Sequence, residues 1–218
     1  MIERILEPEV MDSEQEAMDY DSMDFTDVNT DFAQLAINLA PHQAKILDVG
    51  TGTARIPIII TNLRPDCQII AVDMAKSMLT LAQKNVDLAN KNNQIKLSVA
   101  DAKNLPFSSG DFDLVISNSL VHHLPNPLPF FQEVKRVLKP TGSVLIRDLL
   151  RPETVSQLED IVNQANLNYN PLQEKLFRDS LYASFTLDEI TNFAQTSGLN
   201  HAKIYQSSNR HWTLRIEN

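Results

Sequence analysis

The chain has one cysteine in 218 residues, Cys67. A lone thiol closes no intrachain disulfide and builds no multi-thiolate site, so a reducing cytoplasm is the expected setting and no bound metal is expected. No uninterrupted apolar run approaches the roughly 20 residues that a bilayer-spanning helix needs, so no membrane span is expected. The opening Met1-Ile2-Glu3-Arg4 lacks a cationic lead followed by an apolar stretch. It therefore predicts no secretory signal and a mature protein equal to the whole chain. Positive charge is also scarce near the start: residues 1–31 carry eleven carboxylates against the single base Arg4. The rest is nearly neutral, with 17 acids and 18 bases, so most of the net charge of −9 belongs to an N-terminal arm. Such an arm repels polyanions and disfavours nucleic acid as a partner. Met11, Met18, Tyr20, Met23 and Phe25 interleave with its acids, which predicts that part of the arm packs as a lid. What remains, 43% hydrophobic and 22% charged, suits a single globular domain from residue 32 to 218.

From Ala44 onward short β-rich runs alternate with helical patterns, the signature of βαβ units and a mostly parallel sheet with helices on both faces. Strands are expected at Lys45–Val49, Gln68–Val72, Ile95–Val99, Leu114–Ser117 and Ser143–Ile146. Helices are expected at Ile56–Leu63, Ser77–Ala89 and Leu128–Leu138, the last stopped by Pro140-Thr141-Gly142. Residues 149–185 read as a helical insertion. Thr186-Leu187-Asp188-Glu189 is a capping box opening a helix that Gly198 closes. His201–Gln206 and Arg210–Ile216 flank Ser207-Ser208-Asn209 and predict a C-terminal antiparallel hairpin, for a doubly wound, Rossmann-like α/β sheet of seven strands.

The passage Asp48-Val49-Gly50-Thr51-Gly52-Thr53-Ala54 joins a strand to a helix through small residues, which lets a ligand lie close to the backbone. A dinucleotide fingerprint wants glycine at position 55, where Arg55 stands, and no Gly-Lys-Ser/Thr follows to make a phosphate loop. Asp48 would repel a pyrophosphate and suits an ammonium. Polar residues recur at the ends of successive strands: Asp48, Asp73, Asp101 and Asn118. In a doubly wound sheet these ends share one edge, where ligands bind at the switch point. Asp73 lies 21 residues beyond Gly52, well placed for ribose hydroxyls. A ligand bearing a ribose, an amino-acid ammonium and a sulfonium meets all these demands.

On these residues the chain resembles the class I S-adenosylmethionine-dependent methyltransferases, in the small-molecule group that includes quinone-ring methylating enzymes. The resemblance covers about residues 44–150. It implies that Asp48, Gly50, Thr51, Gly52 and Thr53 hold the methionine portion of S-adenosylmethionine, that Asp73 holds the ribose, and that Asp101 and Ala102 meet the adenine. By the same analogy Met74 and Leu105 line its faces, while Asn118 and its flanks resemble the family's fourth-strand segment. Alanine at 54 replaces the usual glycine, which is tolerable if the backbone there is not left-handed.

A sulfonium already carries an activated methyl group, so the reaction chiefly needs alignment of an acceptor and exclusion of water. His122 and His123 follow the fourth strand at the cofactor edge and are the candidate bases for an acceptor that must lose a proton. Asp148 is a candidate for orienting substrate, and Arg147 and Arg151 for binding an acidic one. Tyr20, Phe25, Tyr169, Phe177, Tyr182 and Trp212 are candidate wall residues. In the family, amino methylation of adenine or glutamine goes with an Asn/Asp-Pro-Pro-aromatic motif, and Asn118-Ser119-Leu120-Val121 stands here instead. The expected acceptor is a small molecule methylated on O, N or C; a protein acceptor and a catalytically silent adenosyl-binding protein are the alternatives.

Overall fold

The computed structural model describes residues 2–9, 12–23, 25–165 and 169–217. Met11 and the Tyr20 side chain, both expected to help the arm pack, lie outside what is described. The chain opens with α1 (Glu14–Ser22) and α2 (Thr26–Leu39), then alternates β1 (Lys45–Val49), α3 (Arg55–Leu63), β2 (Gln68–Asp73), α4 (Lys76–Leu88), β3 (Ile95–Val99) and β4 (Phe112–Asn118). A 3-10 turn (Val121–His123) leads to α5 (Leu128–Val137), β5 (Leu138–Leu149), α6 (Val155–Gln164), α7 (Pro171–Ala183), α8 (Leu187–Thr196), β6 (Lys203–Gln206) and β7 (His211–Ile216).

The seven strands lie in the order β3-β2-β1-β4-β5-β7-β6. β1 to β5 are parallel, with Leu47 opposite Ile70 on one side and Val115 on the other. The C-terminal hairpin adds β7 antiparallel to β5 and β6 as the edge. Strand alternation divides the core into two layers. Leu47, Val49 and Val115 face Phe130, Phe131 and Val134 of α5 and Ile190 of α8. Ile46, Leu114 and Ile116 face the other way, toward Phe32 of α2, Ile60 of α3 and Ala82 of α4. The central strands are buried on both faces, which is why they read as nearly continuous apolar runs.

Three local features differ from expectation. Pro140-Thr141-Gly142 does not form a separate turn but belongs to an irregular lead-in to β5: Leu138 pairs with Phe112, the register shifts, and regular pairing resumes at Ser143 opposite Leu114. The chain curls tightly there, because a Cβ on Gly142 would stand 2.7 Å from Leu138 Cδ1. Ala54 is left-handed (φ 62°), a conformation costing an L-residue about 1–2 kcal/mol, so the condition under which alanine is tolerable is not met and packing at this fully buried position holds the strain. Helix α2 runs continuously through residue 31, so the acid-rich segment ends inside a helix packed on the sheet by Phe32, Ala33 and Ala36.

The capping box at Thr186 and Glu189 forms as expected. Residues 149–185 contain α6 and α7, which pack on Leu149 through Leu158, Ile161 and Leu181, with Ile2 of the arm joining them. The unpaired Cys67 is buried. Among the described residues no helix is long and apolar enough to cross a membrane.

Candidate active site

The C-terminal ends of β1, β2 and β4 open onto three adjoining cavities at the switch point between β1 and β4. The first, about 800 Å³ with the solvent it opens onto, is lined by Gly50, Gly52, Asp73, Met74, Asp101, Ala102 and Asn118. A smaller recess holds Asp48, Thr51 and Thr53 with Asn29 of α2. Thus the predicted strand-end residues converge, and Asn118 lines all three spaces. Leu105 does not join them; it is a core residue 3% exposed.

The loop after β1 is pinned by its neighbours. The amides of Gly50 and Thr51 donate to the Val72 carbonyl at 2.9 and 3.0 Å, and that of Gly52 to Asp73 Oδ2 at 2.8 Å. These amides are therefore spent within the protein, unlike those of an anion-binding loop. Gly50 is left-handed (φ +76°), and a Cβ there would lie 3.0 Å from Leu120 Cβ, so glycine is required on two counts. Asp73 also accepts from the Ala75 amide at 2.9 Å, and it lines the first cavity. Burial raises its pKa against the pull of these amides.

Asp48 is the least compensated group. It is 2% exposed, and its Oδ2, like Thr51 Oγ1 and Thr53 Oγ1, has no hydrogen-bond partner among the described residues. Burial pushes its pKa up to about 7, with Thr51 opposing and the Asp73 carboxylate adding to the rise. A buried carboxylate with Oδ2 left without a partner among the described residues is complementary to an ammonium donor. At the far end Asp101 accepts from the Lys103 amide at 2.8 Å. Burial raises Asp101, but the Lys103 amide and ammonium outweigh it and hold the carboxyl below its ordinary value.

The third cavity, of about 1140 Å³, lies beyond Asn118 and is lined by Phe25, Tyr169, Phe177, Leu172 and Leu176 together with Arg147, Arg210, His122 and His123. Of the expected wall residues, Tyr182 packs with the α6–α7 cluster and Trp212 is fully buried core, so neither lines it. Arg147 is half-buried, and its Nε has no partner among the described residues. Arg151 instead bridges to Glu189 at 2.7 Å, inside the protein.

His122 is 4% exposed, with Nδ1 2.5 Å from Asp148 Oδ1 and Nε2 3.3 Å from Glu7 Oε1. Burial disfavours its charged form, but Asp148 and then Glu7 prevail and raise its pKa. Asp148, also buried, is held below its ordinary value by His122 despite burial. His123 lines both large cavities, and burial followed by the neighbouring His122 lowers it to about 3. The two histidines are thus brought together but made unequal: His122 lines one large cavity and is held between Asp148 and Glu7, while His123 lines both and its pKa is lowered.

Sequence reasoning missed how the arm is attached. Arg4 donates to the carbonyls of Ala183, His122, Leu124 and Pro125 and lies 3.7 Å over the Phe185 ring. Glu9 pairs with Lys103 at the mouth of the first cavity, and Asp12 accepts from the Ser77 amide at 3.0 Å. Arg55, unexplained by any glycine-loop pattern, donates to the Met23 carbonyl at 2.7 Å and pairs with Asp21 at 3.2 Å. Ser119 was also missed; it is left-handed (φ 58°) between the two large cavities, the kind of strain that clusters at functional sites.

A family model described as "Methyltransferase domain" matches residues 41–215. A malonyl-[acyl-carrier protein] O-methyltransferase of Hahella chejuensis is 34% identical over 115 residues, 52% of this chain and 39% of that protein. A demethylmenaquinone methyltransferase of Lactobacillus johnsonii is 32% identical over 107 residues, 49% of this chain and 44% of that protein. The matches thus span less than half the length of these relatives. A solved structure from Methanococcus maripaludis, described as a putative S-adenosyl-L-methionine-dependent methyltransferase, shares the fold with a TM-score of 0.74 at 21% identity, covering 98% of this chain and 97% of its own. The chain therefore belongs to the methyltransferase-domain family, and it shares the fold of that solved structure.

Proposed function

We propose that the protein transfers a methyl group from S-adenosylmethionine to a small-molecule acceptor by in-line displacement. The observation that carries this reading is the buried Asp48 carboxylate, its Oδ2 without a partner among the described residues, in a recess that shares Gly50 and Asn118 with a strand-edge cavity presenting Asp73 and Asp101. Asp48, Thr51 and Thr53 would hold the methionine end, Asp73 the ribose hydroxyls, and Asp101, Ala102 and Met74 the adenine. Bound there, the cofactor supplies a methyl group already activated on a positively charged sulfur.

The protein's part is to position and to exclude water, which can supply ~7–11 kcal/mol of a barrier. Asn118 and Ser119, on the wall shared by the two large cavities, would set the line between methyl donor and acceptor. The third cavity supplies an apolar, aromatic bed from Phe25, Tyr169 and Phe177, with Arg147 Nε left to pair. That combination favours an acceptor with an apolar body and an anionic group. His123 is the neutral imidazole available for a hydrogen bond to the acceptor, while the Asp148–His122 pair buttresses it from behind. Residues 1–31 act as a lid fastened by Arg4, Glu9, Asp12 and Asp21. A reducing cytoplasm suits the buried, unpaired Cys67.

Transfer of tritium from labelled S-adenosylmethionine into fractions of a cell extract tests the reading. Label is expected in small acidic molecules, and Arg147→Met should raise KM for that acceptor with little change in cofactor affinity. Label confined to protein, or none with cofactor bound, refutes it.

A further inference from the structure

We infer that Glu7, His122 and His123 form a binding site for one divalent transition-metal ion, of the zinc class. The Glu7 Oε1 atom lies 3.3 Å from His122 Nε2 and 3.2 Å from His123 Nδ1, and one ligand atom from each of the three residues falls within 4.8 Å of the others. Hydrogen bonds between ionised partners are shorter, about 2.7–2.9 Å. Neither Glu7 Oε1 nor His123 Nδ1 makes a hydrogen bond among the described residues, although both are buried. Nitrogen and oxygen ligands held about 2.0–2.1 Å from a tetrahedral zinc stand about 3.3–3.4 Å apart, close to the two separations from Glu7 Oε1. Two imidazoles and a carboxylate are a common three-residue donor set that leaves one position open.

The surroundings support the same assignment. Asp148 Oδ1 holds His122 Nδ1 at 2.5 Å, which turns Nε2 toward Glu7, the carboxylate–histidine arrangement found behind ligating imidazoles. Two buried carboxylates, Glu7 and Asp148, thus flank this pair of rings, while the guanidinium of Arg4 nearby is occupied by backbone carbonyls. An ion here takes the place of any proton on His122 Nε2, which passes to solvent. It also joins the arm, through Glu7, to the turn after β4. If the methyl-transfer reading holds, an ion on this wall would lower the pKa of an acceptor hydroxyl, a task for which the neutral His123 is a weak base.

The test is zinc and cobalt(II) binding to the full chain after chelator treatment, read by metal analysis, cobalt d–d absorption and hydrogen exchange. One ion per chain is expected, with added protection in residues 2–9 and affinity falling at least about tenfold in Glu7→Gln and in His123→Gln. Glu7→Gln keeps the side chain's size and an oxygen to accept from Ser180, and denaturant unfolding of each variant separates a lost ligand from a lost fold. Less than half an ion per chain, or equal affinity in wild type and Glu7→Gln, overturns the assignment. Titrating the same samples with S-adenosylhomocysteine separates the two readings, since cofactor binding without zinc binding removes only the metal site, and the reverse removes only the methyl-transfer reading.

Discussion

Asp48 should titrate near neutrality, and its substitution by asparagine exposes what that costs and what it enables. In the ligand-free protein burial first, and then Asp73, move its pKa from 3.8 to about 7, against the pull of Thr51. A difference of about 3 units corresponds to about 4 kcal/mol as an upper bound. The folded value is the raised one, so the proton is held more tightly by the folded state. The associated stability is fully present below about pH 4 and is lost as pH rises through about 7. Asp48→Asn carries no such loss. It should exceed wild type in denaturant-measured stability at pH 8 by up to about 4 kcal/mol, the gap closing by about 1.4 kcal/mol for each unit below pH 7.

Ligand binding reverses the balance, because an ammonium beside Asp48 favours the carboxylate. S-adenosylhomocysteine should therefore bind about tenfold more tightly for each pH unit between 5 and 7 and then level off, expelling about 0.9 proton at pH 6. Titration calorimetry in two buffers of different ionisation enthalpy measures that release, and Asp48→Asn should abolish it while weakening binding. Affinity unchanged from pH 5 to 8, or equal proton release in wild type and variant, would refute the pairing of Asp48 with the ligand's ammonium.

Gly50→Ala combines a left-handed backbone with a Cβ at 3.0 Å from Leu120; a stability loss of about 1–3 kcal/mol is expected in chemical denaturation, with a larger fractional loss of cofactor affinity. Arg4→Ala removes four hydrogen bonds to carbonyls and the contact with Phe185. Hydrogen exchange in residues 2–9 should speed up as the opening free energy falls by about 1–3 kcal/mol while the central strands stay protected, and unchanged exchange would contradict the fastening role given to this side chain.

The order of strands and helices was readable because it rests on local periodicity. Runs such as Leu114-Val115-Ile116 announce a strand buried on both faces, and the spacing of Phe130, Val134 and Val137 announces a helix with one apolar side. The strand-end residues Asp48, Asp73, Asp101 and Asn118 could also be brought together on paper, since in a parallel sheet every strand ends on the same edge. Chain direction and alternation are enough for that.

Contacts between distant segments left no local mark. Arg4 meets His122 across 118 positions and Glu9 meets Lys103 across 94, so the acidic arm read as a charged segment although Glu7, Glu9, Asp12 and Asp21 have partners on the body. Arg55 looked like a defect in a glycine loop until the Met23 carbonyl and Asp21 were placed beside it. The left-handed turn at Ala54, the curled entry to β5 and the withdrawal of Leu105 into the core depend on which atoms are packed nearby. The amino-acid sequence determined which elements form and which edge carries the polar groups, because both follow from neighbours along the chain. Only the tertiary structure decided which carboxylate oxygens lack partners and how the two histidines divide between Asp148, Glu7 and the cavities, because burial and partnership are properties of surroundings assembled from segments far apart in sequence.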